Sequence, residues 1–562
     1  MASGILDTAV SGLTTLQRSL QTVSHNIANV NTEGYSRQRV ELGTNPAERT
    51  GEGFIGKGVH IKDVVRSYDQ FTTAQLRSST STYSEADQFQ VMASRVDDLL
   101  ASKETSLSPA LKKFFNAVND VANDPASVPV RQSLLSESDN LVQRFSTMNN
   151  RLDELQSQVN SNLVSDVEKI NSYAKSIAKL NIDIAKQSDQ SGVAFKTNDL
   201  LDQRDLLVSK LSELVDVSVV PEGNSMVSVF VGQGQTLVLS GQARQMLVQQ
   251  SKLDTNKLEV GVKDPVSGNF QDITRQLSGG RISGTLNFRD KILDEAKLSL
   301  GTIAASVTME FNRVHKFGYD LDGNAGQDFF TGIANVPVTA APGNTGSITA
   351  VFDSAIINKI DNSDYQLNVG TGPSYTLTRL SDNSSISLTD SGGQLVATSP
   401  DSLPGIAISL GGTAPVAGDT FLIRPTYDAA KNIAVNLTDP RKIAAASSQN
   451  STGGALVGDN RNALALAGLE SKAVMYDGTA SFKEGFVQLV SDVGNQTSSA
   501  KISASAQEVL LNNAKEQWSS VSGVNLDEEA AELIKLQQAY QASSQTIATT
   551  RRIFDTLMNS IA

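Results

Sequence analysis

NLDEEAAELIKLQQAYQASSQTIATTRRIFDTLMNSIA, residues 525–562, is the stretch that decides the fold. Every seventh position carries an apolar side chain, and a second, more polar row alternates with the first at spacings of three and four. This pattern is typical of a helix that buries a narrow stripe against another helix. The first row is Leu526, Leu533, Tyr540, Ile547, Phe554 and Ile561, and the second is Leu536, Ser543, Thr550 and Leu557.

The polar residues at the start of this stretch predict where the helix begins. Asn525 suits the N-cap position, and Glu528 follows three residues later, as in a capping box. Asp527, Glu528 and Glu529 also place negative charge at the positive end of the helix dipole. We therefore predict a helix that begins after Asn525. It needs a partner, because packing of the apolar stripe supplies most helical stability.

The other end of the chain offers that partner. Its apolar residues step by four and three, at Ala9, Leu13, Leu16, Leu20, Val23, Ile27 and Val30. We predict that the two ends pair as a coiled coil, although the periodicity alone also fits a helical hairpin that closes an ordinary globular domain. The predicted contact, here called the terminal seam, comprises Leu13, Leu16, Leu20, Val23, Ile27, Leu526, Leu533, Tyr540, Ile547, Phe554 and Ile561.

Composition narrows the class of protein. A chain of 562 residues predicts about three to five domains. The net charge of −13, without any basic cluster, argues against a nucleic-acid partner. The absence of cysteine excludes disulfides and thiolate metal sites. No apolar run is long enough to span a bilayer, and the first basic residue, Arg18, comes too late for a signal peptide, so we expect no membrane insertion.

The middle of the chain alternates between helical and strand patterns. Residues 141–184 keep three-and-four apolar spacing far beyond an ordinary helix length, which predicts a rod. Residues 217–277 and 345–425 alternate in the manner of strands between glycine-rich turns. Helices are expected to resume near Asp439 and to continue through Asn460 to Val474 and through Phe482 to Val521.

The predicted fold class is therefore α+β and multidomain, with terminal helices that form a coiled coil, an elongated helical-bundle rod and inserted β domains. In this scheme each later part of the chain returns beside an earlier one. The predicted domains are a terminal coiled coil (1–38 with 522–562), a hairpin or extended linker (39–83), a helical rod (84–215 with 284–320 and 430–521), a small β insertion (216–283) and an outer β domain (321–429).

The sequence offers no catalytic or ligand-binding motif that survives its context. Residues 51–57 nearly match two nucleotide-binding loops, but no apolar strand precedes them and no helix follows. Residues 320–331 resemble a calcium loop, yet Ala325 and Thr331 stand where glycine and glutamate are required. The three histidines fall in three different predicted elements, which argues against a metal triad. We predict a protein that is not an enzyme and has no cofactor and no metal.

The end of the N-terminal seam resembles a known family. Three asparagines and a glycine between residues 26 and 34 suit a helix that unwinds into turns, since both residue types adopt left-handed backbone geometry. The stretch is similar to the N-terminal signature of bacterial flagellar axial proteins, the rod, hook and hook-associated proteins. Glu33 and His25 depart from the frequent residues at their positions. The residues that carry the resemblance at both ends are Asn26, Asn29, Asn31, Thr32, Gly34, Tyr35, Asn525, Glu528, Gln538 and Tyr540.

Internal stretches resemble the hook-associated members of this family and not the hook protein. They are residues 198–205, 315–330 and 489–495, and the likeness is weakest in 330–425. The hook protein shares only the terminal signatures, so another axial protein stays open as an alternative. A surface adhesin with a coiled-coil stalk or a cell-wall hydrolase would need an anchor or a catalytic domain, and the sequence suggests neither.

The resemblance implies a structural subunit of the bacterial flagellum that is secreted, extracellular and located at the hook–filament junction. Such a subunit is exported unfolded, polymerises at the distal end of the hook and joins the hook to the filament. The implied partners are further copies of the chain in a helical or ring-like homo-oligomer, the hook protein, the third hook-associated protein and an export chaperone at the C-terminal helix.

Coupling of folding to assembly follows from the open seams of the two ends, and hydrogen exchange tests it. We expect the amides of residues 1–35 and 525–562 to exchange without protection in the free subunit, because an unpartnered stripe leaves a helix poorly stable. The same amides should be protected in the polymer. Strong protection in the free subunit would contradict the coupling.

Overall fold

The computed structural model describes residues 2–50, 53–102, 106–188, 194–264, 267–333, 335–372, 374–399 and 401–561. Helices dominate both ends of the chain and its long middle part, and their bounds follow in chain order. They are α1 (Ala2–Ala28), α2 (Gln70–Ala101), α3 (Leu107–Asn123), α4 (Val128–Ser188), α5 (Ala194–Ser212), α6 (Gly280–Phe288), α7 (Asp294–His315), α8 (Ala429–Asn432), α9 (Arg461–Gly468), α10 (Phe482–Ser522) and α11 (Leu526–Ile561).

Two groups of strands precede α6. A long hairpin follows α1, in which β1 pairs with β4 and, further out, β2 pairs with β3. The small β insertion between α5 and α6 forms two antiparallel sheets, β5 to β8 and β9 to β11. The strands are β1 (Gln38–Thr44), β2 (Glu48–Thr50), β3 (Gly53–Ile55), β4 (Val59–Arg66), β5 (Val217–Pro221), β6 (Val227–Val231), β7 (Gln235–Leu239), β8 (Gln242–Ala243), β9 (Met246–Gln250), β10 (Leu258–Lys263) and β11 (Phe270–Asp272).

The outer strands β13 to β21 form a sheet that closes on itself, whereas β12 and β22 pair as a separate two-stranded sheet. The segment around Pro337 pairs with β15 before the proline, as β13, and with β21 after it, as β14. Closure removes the exposed edges of a sheet. The strands are β12 (Phe330–Thr331), β13 (Asn335–Val336), β14 (Val338–Ala340), β15 (Ile348–Phe352), β16 (Tyr365–Val369), β17 (Tyr375–Arg379), β18 (Ser385–Ser391), β19 (Gln394–Ala397), β20 (Ile406–Leu410), β21 (Thr420–Ile423) and β22 (Ala434–Val435).

The rod is built around α4, which is about 90 Å long at 1.5 Å per residue. The apolar residues that predict this helix are buried, from Leu141 to Ile184, against α3, α5 and the small β insertion. α2 and α10 pack along each other, so that the later half of the chain returns beside the earlier half. The predicted α+β multidomain fold with a helical rod and inserted β domains is confirmed.

Two predictions about single segments are wrong. Residues 70–83 belong to α2 and not to an extended linker: Asp69 caps this helix by accepting a hydrogen bond from the Thr72 amide. The buried residues in the first turns of α2 are polar, including Thr73 and Arg77. The sequence therefore shows no apolar periodicity in this part of the helix. The expected return of helices near Asp439 is also wrong. Asp439 caps one 3₁₀ turn, and a helix returns only at α9, because turn-forming residues fill the stretch between.

Buried charges join the outer β domain to the small insertion. The Arg424 guanidinium lies 2.9 Å from Asp364 and 3.0 Å from Asp254, which belong to the outer domain and the insertion respectively. It also lies over the ring of Tyr427, at 3.2 Å. Burial raises the pKa of Asp364 to about 6 even beside this arginine. The charges at this contact are thus paired at the cost of desolvation, which fixes its geometry more than it adds stability.

His315 closes the C-terminal end of α7 from inside the protein. Its Nδ1–H donates to the Gln327 carbonyl at 2.6 Å, and its Nε2 accepts from the Ala444 amide at 2.9 Å. Only the neutral ring can do both, because protonation would turn Nε2 into a second donor facing an N–H group. Burial accordingly lowers the pKa of His315 to about 4.

Acid should therefore loosen this contact. The unfolded chain takes up the proton near pH 6.5 and the folded chain near pH 4, so the stabilisation is complete above pH 6.5 and is lost as pH falls toward 4. The loss is roughly 3 kcal/mol at most. Hydrogen exchange at the Ala444 amide, corrected for intrinsic pH dependence, should accelerate across this range. His315→Asn should flatten the dependence and His60→Asn, on the exposed hairpin, should preserve it; equal slopes in all three proteins would contradict the assignment.

Candidate assembly interface

The two terminal helices lie side by side and run in opposite directions. Asn26, near the end of α1, bonds to Glu529, at the start of α11, and the helices remain in contact from there. We call α1 and α11 the terminal pair. Most of the predicted terminal seam is covered within the pair. The half-buried members are Leu13, Leu16, Leu20, Ile27, Leu533, Tyr540 and Ile547, and Val23 is buried.

Two members of the predicted seam are not covered in the chain. Leu526 and Phe554 are about half exposed, because the first residue of α11 lies outside the contact and its last turns extend beyond α1. The side chain of Ile561 lies outside the described residues. The role of the seam in assembly remains a prediction.

The terminal pair has almost no apolar core of its own. Among the described side chains of both helices, Val23 is the one apolar residue that is buried. The other buried side chains are polar: Thr15, Thr22, Asn26, Glu529 and Thr550. The rod, by contrast, buries apolar residues along the whole length of α4. Contact between the terminal helices therefore contributes little of the burial on which helix stability depends.

Asn26 forms the base of the terminal pair and is 1% exposed. Its amide nitrogen donates to the Gln38 carbonyl and to Glu529 Oε2, both at 2.9 Å. Its oxygen accepts from the Tyr35 hydroxyl at 2.7 Å and from the Gln38 amide at 3.0 Å. All four hydrogen-bonding positions of the side-chain amide are thus occupied. Burial raises the pKa of Tyr35, which keeps its hydroxyl a donor.

Arg37 ties the same base to the start of α11. Its guanidinium lies 2.9 Å from Glu528 and 2.6 Å from Glu529, and its amide donates to the Ser522 carbonyl at 2.9 Å. Asn525 caps the helix as predicted, by accepting from the Asp527 amide at 2.9 Å. The reciprocal half of the predicted capping box is not formed, because the Glu528 carboxylate pairs with Arg37.

The loop after α1 is also clamped to α5. The Ser36 amide donates to Asp202 and the Gln38 side chain donates to Asp199, at 2.9 and 3.0 Å. Arg66 of β4 lies 2.9 Å from Asp202. Burial raises the pKa of Asp202, and the opposing effect of this arginine is smaller. Gly34 adopts a φ of +79°, and a Cβ there would meet Leu206 at 2.9 Å. Three distant segments thus meet at one point, here called the junction, formed by 26–38, 198–206 and 522–529.

The structure brings some signature residues together at the junction and leaves others apart. Asn26, Gly34, Tyr35, Asn525 and Glu528 take part in it. Asn29 and Thr32 bond to each other and close the turn at the end of α1. Asn31 and Gln538 are exposed, and Tyr540 lies half-buried in the terminal pair.

Sequence reasoning missed several residues of the junction, chiefly Arg37, Glu529, Asp199 and Asp202. Their side chains act in pairs across more than a hundred residues, so no local spacing reveals them. A signal did exist in residues 198–205, where three aspartates and an arginine follow an asparagine on one predicted helix.

The outer surface of the terminal pair is apolar in places where the chain offers no cover. Large exposed apolar residues on α1 are Ile5, Leu6 and Val10, and those on α11 include Ile534, Ile553, Phe554 and Met558. Contiguous exposed apolar surface marks sites of protein association.

The part of the chain that the structure describes contains neither a candidate metal site nor a membrane-spanning helix. There, His, Asp and Glu form no group that could hold a metal, and no helix is both long and apolar enough to cross a membrane. A cleft of about 570 Å³ between α2, α6 and α10 is lined by Glu85, Asn287 and Lys291, among others. Glu85 there bonds to Ser283 and Asn287 and so joins α2 to α6.

Models of flagellar protein families match four stretches of the chain. Residues 93–330 match the model of the flagellar hook-associated protein FlgK helical domain, and residues 338–425 that of the flagellar hook-associated protein 1 D2-like domain. The ends match models of the flagella basal body rod protein (6–35) and of the flagellar basal body rod FlgEFG protein C-terminal region (516–560).

Individual proteins are similar over the same length. Flagellar hook-associated protein 1 of Salmonella typhimurium is 35% identical over 99% of this chain and 100% of its own, and that of Escherichia coli K12 is 33% identical over the same shares. The structure of the flagellar hook junction protein FlgK from Burkholderia pseudomallei superposes with a TM-score of 0.71 at 25% identity, and covers 80% of this chain and 100% of its own.

Removal of the Asn26 amide should loosen the junction. Asn26→Ala leaves the Gln38 backbone groups and Glu529 Oε2 without the Asn26 amide in a buried place, although Glu529 Oε1 keeps its pairing with Arg37. The loss should cost about 2 to 4 kcal/mol locally. Hydrogen exchange at the amides of Arg37 and Gln38 measures this loss. Asn31→Ala, at an exposed signature position, should change exchange by less than about 0.5 kcal/mol. Equal effects of the two variants would show that Asn26 does not hold the base.

Proposed function

Since the chain belongs to the flagellar hook-associated protein 1 family and is a structural protein of the hook–filament junction, we propose that it completes its terminal helices only within the polymer. The observation that carries this proposal is the terminal pair without a core. One buried apolar side chain in the described parts of two long helices cannot offset the conformational entropy of ordering them. Neighbouring copies would supply the missing apolar cover.

The exposed side chains indicate where that cover lies. The terminal seam faces the partner helix of the same chain, so neighbours contact the flanks of the terminal pair, which carry Val10, Ile534 and Ile553. The contact is heterologous, because a helix face of one copy meets a different face of the next. Heterologous contacts generate rings or helical arrays, as a tubular flagellar structure requires.

The partners beyond further copies are other axial proteins. Both ends of the chain match models of rod proteins, which supports a terminal fold that can stack on related subunits. We assign the hook protein to the hook side of the hook–filament junction and the third hook-associated protein to its filament side. The protein acts through these contacts and performs no catalytic step.

Export precedes assembly in this proposal. The subunit is secreted unfolded to an extracellular position, and a chain without cysteine needs no disulfide formation on arrival. An export chaperone holds α11 until then, because its apolar stripe is an aggregation hazard while uncovered.

A charge in the seam should block polymerisation. Ile547 is half-buried toward α1, and Ile547→Asp would place an unpaired carboxylate there, which is costly wherever the helices pair. The variant is expressed in a strain that lacks the gene, and filaments per hook are counted by electron microscopy. We expect hooks without filaments, although the secreted amount of the variant is unchanged.

Ser544→Asp is the matched control, since it adds the same charge to an exposed position of the same helix. It should restore filaments to most hooks. Normal filaments with Ile547→Asp would remove the seam from the mechanism, and equal loss with both variants would show that charge anywhere on α11 blocks assembly.

A further inference from the structure

The hairpin between α1 and α2 extends along α1 toward the free end of the terminal pair. Gln38, at the start of β1, lies beside Asn26, whereas the Val59 amide, at the start of β4, donates to Ser11 at 3.3 Å. Gly58 fits against the Thr8 backbone, where a Cβ would meet the Cα at 3.2 Å. β1 and β4 therefore reach the first turns of α1, and the outer strands β2 and β3 continue the hairpin from there.

Two large apolar side chains of β3, here called the hairpin tip, are uncovered. Phe54 is 75% exposed and Ile55 is 55% exposed, both on β3. By sequence the charges of the hairpin end sum to zero, with Glu48 and Glu52 against Arg49 and Lys57. Lys57 lies 2.9 Å from Glu48 across the hairpin. A large aromatic side chain at the end of a neutral hairpin is suited to an apolar partner surface.

The end of α11 is uncovered in the same region. From the Asn26–Glu529 contact, about twenty-one residues along each helix bring Thr550 opposite Ile5, in the first turn of α1, and Thr550 is accordingly buried. Three residues further, Ile553 lies opposite Ala2, and residues 554–561 extend about 12 Å beyond the start of α1. This end of α11, here called the overhang, exposes Ile553, Phe554 and Met558, with Ile553 at 62%.

We propose that the hairpin tip of one copy, through Phe54 and Ile55, covers the α11 overhang of the neighbouring copy. Both surfaces stay exposed within a single chain although they lie at the same end of the terminal pair, so the chain does not satisfy them by itself. They continue the uncovered face of the terminal pair, which makes a second copy the occupant. The inference rests on the proposed polymerisation and adds a specific contact to it.

Cysteine cross-linking tests this contact in the assembled hook–filament junction, because the natural chain contains no cysteine. Copies that carry only Phe54→Cys are mixed with copies that carry only Ile553→Cys, and disulfides are formed by mild oxidation. A disulfide between the two kinds of copy is necessarily between chains. We expect dimers in the mixed junctions and at least about tenfold less dimer when either variant assembles alone. No dimer in mixed junctions that assemble normally would overturn the proposal.

Serine substitution gives a second readout. Phe54→Ser with Ile55→Ser should leave the melting temperature unchanged, because both side chains lack cover within the chain, yet leave most hooks without filaments. The control is Val396→Ser, an exposed apolar position of the outer β domain, which should support normal filaments. Normal filaments with the double variant, alongside failure of Ile547→Asp, would overturn this inference and leave the proposed function standing.

Discussion

The buried Asn26 amide is the contact on which the terminal architecture depends. Its four hydrogen bonds join the end of α1, the loop that follows it and, through Glu529, the start of α11. A buried polar group that is fully paired adds little net stability, but any displacement leaves partners unsatisfied, so it selects one geometry strongly. Arg37 and Asp202 extend the same selection to α11 and α5. These contacts thus fix the direction in which α1 and α11 leave the rod.

Beyond this base the balance of forces changes. The rod buries apolar side chains on every turn of α4 and is stable through its own packing. The terminal pair keeps its bonds at the base but buries one described apolar residue, Val23. Direction is therefore set by the chain itself, whereas our proposal assigns the stability along the helices to contacts with neighbouring copies. In that proposal the subunit presents oriented but incomplete ends to the polymer.

The sequence predicts those features that depend on local periodicity. Heptad spacing identifies α11 and its partner α1, and the spacing from Leu141 to Ile184 identifies α4. It fails where the stripe is polar, as in the first turns of α2, where Thr73 and Arg77 are buried. It also cannot show the junction, because Asn26, Asp199 and Glu529 come together only in three dimensions. The closure of the outer sheet at Pro337 depends equally on pairing between strands that are distant along the chain.

The terminal pair is polar at its base and apolar toward its free end, and this difference has a physical reason. A hydrophobic stripe specifies burial but tolerates sliding, since apolar contacts have no direction. Hydrogen bonds and ion pairs do have direction, and a single buried asparagine can fix the register of paired helices. With Asn26 and Glu529 at one end, sliding of α11 along α1 breaks the base. In the proposed polymer each copy would therefore offer its neighbours the same surface, and a uniform array needs this identity of subunits more than it needs stable monomers.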